Sequence, residues 1–223
     1  MKRFFLSVLG LLVIAALASQ LWYLGLVLQL RGQNPKDTAF MERARAHGQV
    51  SYQWRDYEHI ADDLKRAVLI SEDARFVEHS GFDWRGIRHA MERNEEAGRP
   101  VAGGSTITQQ LAKNLFLSSE KTYTRKLQEA LIAVMLELSL SKQRILELYL
   151  NTAQWGNRVF GAQAAARHYF GVDADQLSPA QAAQMAVLLP RPSYYDVRGT
   201  TDYVQQRTLW IQEQLPLVRI PSP

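Results

Sequence analysis

The chain is 223 residues long, 47% hydrophobic and 22% charged, with 26 Lys and Arg against 22 Asp and Glu and no cysteine. Such a composition excludes a disordered or fibrous chain, disulfides and cysteine-ligated metal sites. The net charge of +4 invites a nucleic-acid reading, which depends on where the bases lie.

From Phe4 to Leu28 the only polar side chains are Ser7, Ser19 and Gln20. As a helix, at about 1.5 Å per residue, this run exceeds the roughly 30 Å hydrocarbon core of a bilayer. Residues 1–3 then form a cytoplasmic tail and 4–30 a transmembrane anchor, because Lys2 and Arg3 hold the amino-terminus inside and send the remainder out. A cleaved signal peptide is the alternative, since Ala16-Leu17-Ala18 resembles a cleavage site. The apolar run continues past it through Leu21, Trp22, Leu24, Leu26 and Val27, which favours an uncleaved anchor. Lys2, Arg3 and Arg31 account for three of the 26 bases, so residues 32–223 carry 23 bases against 22 acids. That near-neutral domain lacks an electrostatic footprint for nucleic acid.

Residues 31–57 read as a juxtamembrane linker with a short helix around Phe40 to Ala46, 58–200 as the main domain and 201–223 as a carboxy-terminal extension. Ile60, Leu64 and Val68 recur at i+4, and Trp84, Ile87 and Met91 predict the core side of a second amphipathic helix. Gly98-Arg99-Pro100 and Gly103-Gly104 interrupt the pattern. Thr106 and Gln109 form a capping-box signal for a helix carrying Ile107, Leu111 and Leu115. Within 122–140, the run Ala130 to Leu136 is apolar on every face and predicts a helix buried at the domain centre. Further helices are expected near 142–151, 159–169 and 178–189, with Gly171 and Pro190 as stops. No alternating β-branched run occurs, so the expected fold class is all-α.

Two carboxylates stand out against this pattern. Glu72 continues the Ile60, Leu64, Val68 stripe at i+4, which predicts a carboxylate on an apolar face with a raised pKa, suited to general-base work. The plain alternative is that the helix ends there and Glu72 turns to water. Glu129 directly precedes the all-apolar run, and an i,i+4 pair with Arg125 is its ordinary explanation. Between them lie Lys113, Lys121, Arg125 and Lys126, beside a Gly-Gly loop and a helix start. Such a cluster suits a phosphate or diphosphate, although a solvated basic face has the same composition. There is no HExxH, and the five histidines form no metal pattern. The SxxK strings at Ser118–Lys121 and Ser139–Lys142 lack the partner motifs of an acyltransferase.

These anomalies fall within strings that resemble the peptidoglycan glycosyltransferase family, also found as the polymerase module of bifunctional penicillin-binding proteins. EDARFVEHSG at 72–81 resembles its first motif, GGSTITQQLAKNLF at 103–116 its second, RKLQE at 125–129 its third and KQRILELYLN at 142–151 its fourth. The similarity spans about 65 to 196 in the right order, and a chain ending soon afterwards resembles the monofunctional membrane-anchored form. What the resemblance implies is a lysozyme-like helical fold and growth of glycan strands from a lipid-linked disaccharide-peptide, lipid II, at the inner (plasma) membrane with a periplasmic domain. Cell-division or wall-synthesis proteins are candidate partners, and nucleic acid is not.

Carried over residue by residue, Glu72 matches the catalytic base, and Glu129 the second catalytic-site glutamate and candidate ligand of a divalent cation, magnesium or manganese. Asp73 is expected beside Glu72 and, with His79, among the substrate-binding residues; Lys113 matches the lysine of the donor diphosphate, and Arg125 and Lys126 match the basic pair. Ser105, Thr106, Gln109 and Gln110 are expected to line the cleft. Lys121 stands where many members have arginine, which keeps the charge and loses the bidentate fork. A lysozyme-like hydrolase and a non-catalytic membrane-tethered scaffold are the competing functions. Clustered cations favour the polymerase over a hydrolase, which must protonate a sugar leaving group.

Overall fold

A computed structural model describes residues 1–221, so positions 222 and 223 of the expected extension lie outside the described residues. The protein is predominantly helical. Helix α1 (Lys2–Gln29) is the apolar run, about 42 Å long at 1.5 Å per residue. Its outward side chains are exposed over most of its length, and burial begins only near Val27 and Leu30. Helix α2 (Ala39–Arg45) falls where the short linker helix is expected, with Thr38 accepting from the Met41 amide as its cap.

Helix α3 (Asp62–Glu72) carries Asp62 and Asp63 in its first turn, where carboxylates complement the helix dipole, and buries Leu64 and Val68. Helix α4 (Trp84–Glu96) departs from expectation. Trp84 and Met91 are exposed, Ile87 is half-buried, and Ala90 is the buried residue of the helix. The periodicity correctly implies a helix, but this helix borders a cleft and solvent instead of presenting its apolar side to the core. Helix α5 (Ile107–Phe116) has the full capping box: the Gln109 amide donates to Thr106 Oγ1 and the Thr106 amide to Gln109 Oε1. Ile107, Leu111 and Leu115 are buried, as their spacing predicts.

Helix α6 (Tyr123–Ser139) is capped by Thr122 and contains the all-apolar run. It is not the central helix. Ile132, Ala133 and Leu136 face the core, whereas Leu127, Leu131, Val134 and Leu138 are exposed along one side. The carboxy-terminal half of α1 packs beside it: the Gln20 and Gln128 amides exchange hydrogen bonds, Tyr23 meets Phe116 edge-on at 6.1 Å, and Arg31 Nε donates to the Ser139 carbonyl at 2.9 Å. The central position belongs to α7 (Lys142–Thr152), in which seven residues from Ile145 to Thr152 are buried.

A three-stranded sheet too short to show any periodicity joins the linker to the domain. β1 (Ser51–Tyr52) pairs parallel with β3 (Val159–Phe160), and β2 (Gln154–Gly156) pairs antiparallel with β3. Helices α8 (Ala162–Phe170), α9 (Pro179–Leu188), α10 (Pro192–Arg198) and α11 (Asp202–Gln214) follow. Gly171 ends α8 in the left-handed conformation. In the stretch expected to be an extension, α11 packs on α9 and α3, and Val204, Ile211 and Leu215 complete the core.

Candidate active site

The carboxyl end of α3, the amino end of α5 and the first turns of α6 converge. Asp73 caps α3 and is buried; its Oδ2 accepts from the Ile107 amide at 3.0 Å and its Oδ1 meets His79 Nε2 at 2.8 Å. One side chain thus ties the end of α3 to the start of α5, where free amides favour an anion. Thr106 adds a second tie, donating to the Gly81 carbonyl at 2.7 Å. A Cβ at position 104 would lie 3.0 Å from Ile87 Cα, tighter than ordinary van der Waals contact, so glycine suits this close approach. The Gly-Gly loop therefore lies directly against α4.

Glu72 is the last residue of α3 and does not turn away to water. Its Oε2 accepts from Gln110 Nε2 at 2.7 Å, and its Oε1 is withdrawn from solvent with no hydrogen-bond partner. Desolvation raises its pKa, Asp73 adds to the rise, and the Gln110 bond and the charge of Lys113 oppose it. Gln110 Oε1 in turn accepts from the Tyr149 hydroxyl at 3.0 Å. Tyr149 is buried on α7, and burial together with the nearby Glu72 and Asp73 holds its hydroxyl protonated, a fixed donor. The sequence reading missed Tyr149, although it lies within the fourth motif, because a tyrosine among Leu148 and Leu150 looks like core.

Glu129 is buried and pairs with both members of the third motif, accepting from Arg125 Nη1 at Oε2 and from Lys126 Nζ at Oε1. The ordinary ion-pair explanation is correct in geometry, with the burial as the unexpected part. Both oxygens are occupied by cations, which suits a group that positions Arg125 and Lys126. It does not suit a ligand for a divalent ion, and among the described residues no cluster of three or more His, Asp or Glu could hold a metal.

Lys126 Nζ also donates to Ser105 Oγ at 3.1 Å, joining the second and third motifs. Lys113 is half-buried on α5, and its pKa is lowered by desolvation first; Glu129 and Glu72 raise it while Arg125 and Lys126 lower it further. Lys113 therefore couples electrostatically to both glutamates.

The structure brings together Glu72, Asp73, His79, Ser105, Thr106, Gln110, Lys113, Arg125, Lys126 and Glu129. Lys121 is exposed and shares a shallow cavity with Arg125 and Lys126. Gln109 is buried in the capping box, where it holds the helix start instead of lining the cleft. A cavity of about 280 Å³ contains Glu72, Asp73, Ser105 and Thr106, and a second of about 210 Å³ contains Gln110, Lys113 and Tyr149. The arrangement offers a proton acceptor of raised basicity beside a set of cations.

Comparison with known proteins agrees with this geometry. Residues 38–216 match the transglycosylase family model. A biosynthetic peptidoglycan transglycosylase of Alcanivorax borkumensis is 65% identical over 222 residues, covering 100% of this chain and 91% of the relative. Proteins of the same description from Chromobacterium violaceum and Laribacter hongkongensis are 48% and 49% identical, covering 99% and 91% of this chain and 100% and 92% of theirs. With the matched span enclosing both glutamates, the cationic cluster and Tyr149, the chain belongs to the biosynthetic peptidoglycan transglycosylase family.

Proposed function

We propose that this glycosyltransferase extends glycan strands from lipid II by single displacement with inversion, forming a β-1,4 bond and releasing undecaprenyl diphosphate. The observation that carries the reading is Glu72 Oε1, desolvated, unpartnered and raised in basicity within the field of Lys113, which in turn couples to Arg125 and Lys126. The acceptor sugar 4-hydroxyl oxygen attacks the anomeric carbon of the donor while Glu72 takes the hydroxyl proton. The bond from that carbon to the diphosphate oxygen breaks and its electron pair leaves with the diphosphate. A diphosphate leaves without being protonated but needs positive charge, which Lys113, Arg125, Lys126 and the exposed Lys121 supply. Gln110, fixed by Tyr149, holds Oε2 and so aims Oε1. Glu129 acts through Arg125 and Lys126, setting their positions.

The anchor fits a substrate held in a bilayer. With Lys2 and Arg3 inside, α1 leaves the domain on the outer face. The exposed Leu127, Leu131, Val134 and Leu138 of α6, lying beside the outer half of α1, then sit at the level of the outer leaflet. Phe116 meets Tyr23 of α1, while Leu115 and Leu117 are buried in the core.

The test is a gel of products from labelled lipid II. Wild type yields long glycan and Glu72→Gln yields none while keeping its fold; polymer from the variant removes Glu72 from the mechanism. Shortening of preformed glycan by the wild type would establish a hydrolase instead.

A further inference from the structure

The cleft does not stop at Lys113. The cavity containing Lys113 and a neighbouring one of about 390 Å³ share Phe40 and Gln154 as walls. The neighbouring cavity is lined by Arg43, His47 and Arg158, and no Asp or Glu lines it. Arg43 Nη2 donates to the Leu117 carbonyl at 3.0 Å, and its guanidinium lies 4.5 Å from the centre of the Phe40 ring. Lys113 Nζ lies 5.6 Å from the same ring. Arg158 Nη1 donates to the His47 carbonyl at 3.1 Å. Carbonyl contacts orient both guanidiniums without neutralising them. Two neighbouring carboxylates are engaged elsewhere: Asp37 pairs with Arg45, and Asp196 accepts from the Asn157 amide and meets His168.

The backbone gives an independent sign. Arg158 lies in the turn between β2 and β3 with φ of 65°, a left-handed conformation that L side chains disfavour and glycine adopts freely. Its guanidinium packs on Gly48, itself at φ +133°, where a Cβ would lie 3.4 Å from Arg158 Cζ. A turn that would suit glycine thus carries an arginine seated at the cavity wall.

We propose that this cavity binds carboxylates of the peptide carried by the sugar whose diphosphate lies at Lys113. The inference rests on the lipid II reading. That substrate carries two kinds of anion, and the Lys113, Arg125 and Lys126 cluster accounts for the diphosphate. The peptide carboxylates remain, and a chain of a few residues reaches on the order of 10 Å, which spans from one cavity to its neighbour. A guanidinium fork matches a carboxylate in two hydrogen bonds.

The experiment uses the full-length protein with labelled lipid II and with the same lipid whose peptide carboxylates are converted to amides. Wild type is expected to show a KM about tenfold higher for the amidated substrate. Arg43→Gln and Arg158→Gly should each raise KM for natural lipid II by about the same factor and leave the amidated substrate unchanged. Arg158→Gly should also melt no lower than wild type, because it relieves the left-handed backbone; a purely structural role for Arg158 would lower the melting temperature and slow both substrates alike. Equal KM values for the two substrates in wild type would overturn the proposal. So would variant losses that follow the anionic phospholipid content and ignore the peptide, which would mark a headgroup site. Absence of any polymer from wild type would instead sink the lipid II reading itself.

Discussion

Glu72 carries a conflict that pH can expose. Its folded pKa is raised, so as pH climbs past the ordinary carboxylate range the unfolded chain loses this proton before the folded one does. Above that range the charged Glu72 destabilises the fold, and the penalty is complete once pH exceeds its folded pKa. Glu72→Gln is therefore expected to abolish polymerisation and to melt higher than wild type at neutral pH, with the gap closing toward pH 4. Calorimetry across pH checks this, and a variant that melts lower throughout would contradict the desolvation. Lys113 moves in the opposite direction, its pKa lowered by burial, so activity should fall on the alkaline side before an ordinary lysine titrates. Lys113→Arg should move that alkaline limb outward in a pH–rate profile. Tyr149→Phe removes the donor that fixes Gln110. A loss of about tenfold in kcat with KM little changed is expected, in line with one lost hydrogen bond in a buried relay. Glu72 was legible because a carboxylate broke an i+4 apolar stripe. Tyr149 was not, since burial of a tyrosine on an apolar helix is ordinary and its partner Gln110 is 39 positions away.

At the scale of elements, the start of α5 was legible because a cap is a local interaction. Thr106 with Gln109 caps it as their spacing implies, and the structure adds Thr122 and Ser141 as the caps of α6 and α7. Thr106→Ala is expected to cost about 1 kcal/mol of stability, read as a lower melting temperature, with Thr106→Ser retaining most of it. The loss should be accompanied by reduced activity, because Thr106 also holds Gly81 beside Asp73 and His79. The faces of α4 and α6 were misread for one reason. Periodicity shows that a helix has an apolar side, but not what covers it. In α4 the pattern Trp84, Ile87, Met91 satisfies the spacing of a core helix, yet Trp84 stacks on Phe82 at the surface. In α6 apolar residues on every face reflect two apolar surroundings, the core on one side and the flank of α1 and exposed surface on the other.

At the scale of the whole molecule, the contact of α1 with α6 sets which face of the domain lies beside the long apolar helix, and the proposed anchoring by α1 would bring that face to the bilayer. The absence of native cysteine permits a clean test, since Leu131→Cys creates a single labelling site. An environment-sensitive fluorophore there should shift to the blue when the protein is reconstituted in vesicles and be quenched by labelled acyl chains. The same probe at Glu96, at the end of α4, should remain aqueous. A water-like signal at Leu131 would detach α6 from the membrane.

The sequence by itself determined the long apolar amino-terminal helix, the all-α class, the capped start of α5 and the presence of two carboxylates with intervening cations, because each of these rests on local spacing or on composition. Only the tertiary structure decided that Glu72 has an unpartnered oxygen, that Glu129 is spent on Arg125 and Lys126, and that Tyr149 steadies Gln110. It also decided that α7, and not α6, occupies the centre. Those outcomes depend on which helix faces meet across long separations in the chain, and that meeting sets the desolvation and pairing from which each group takes its chemistry.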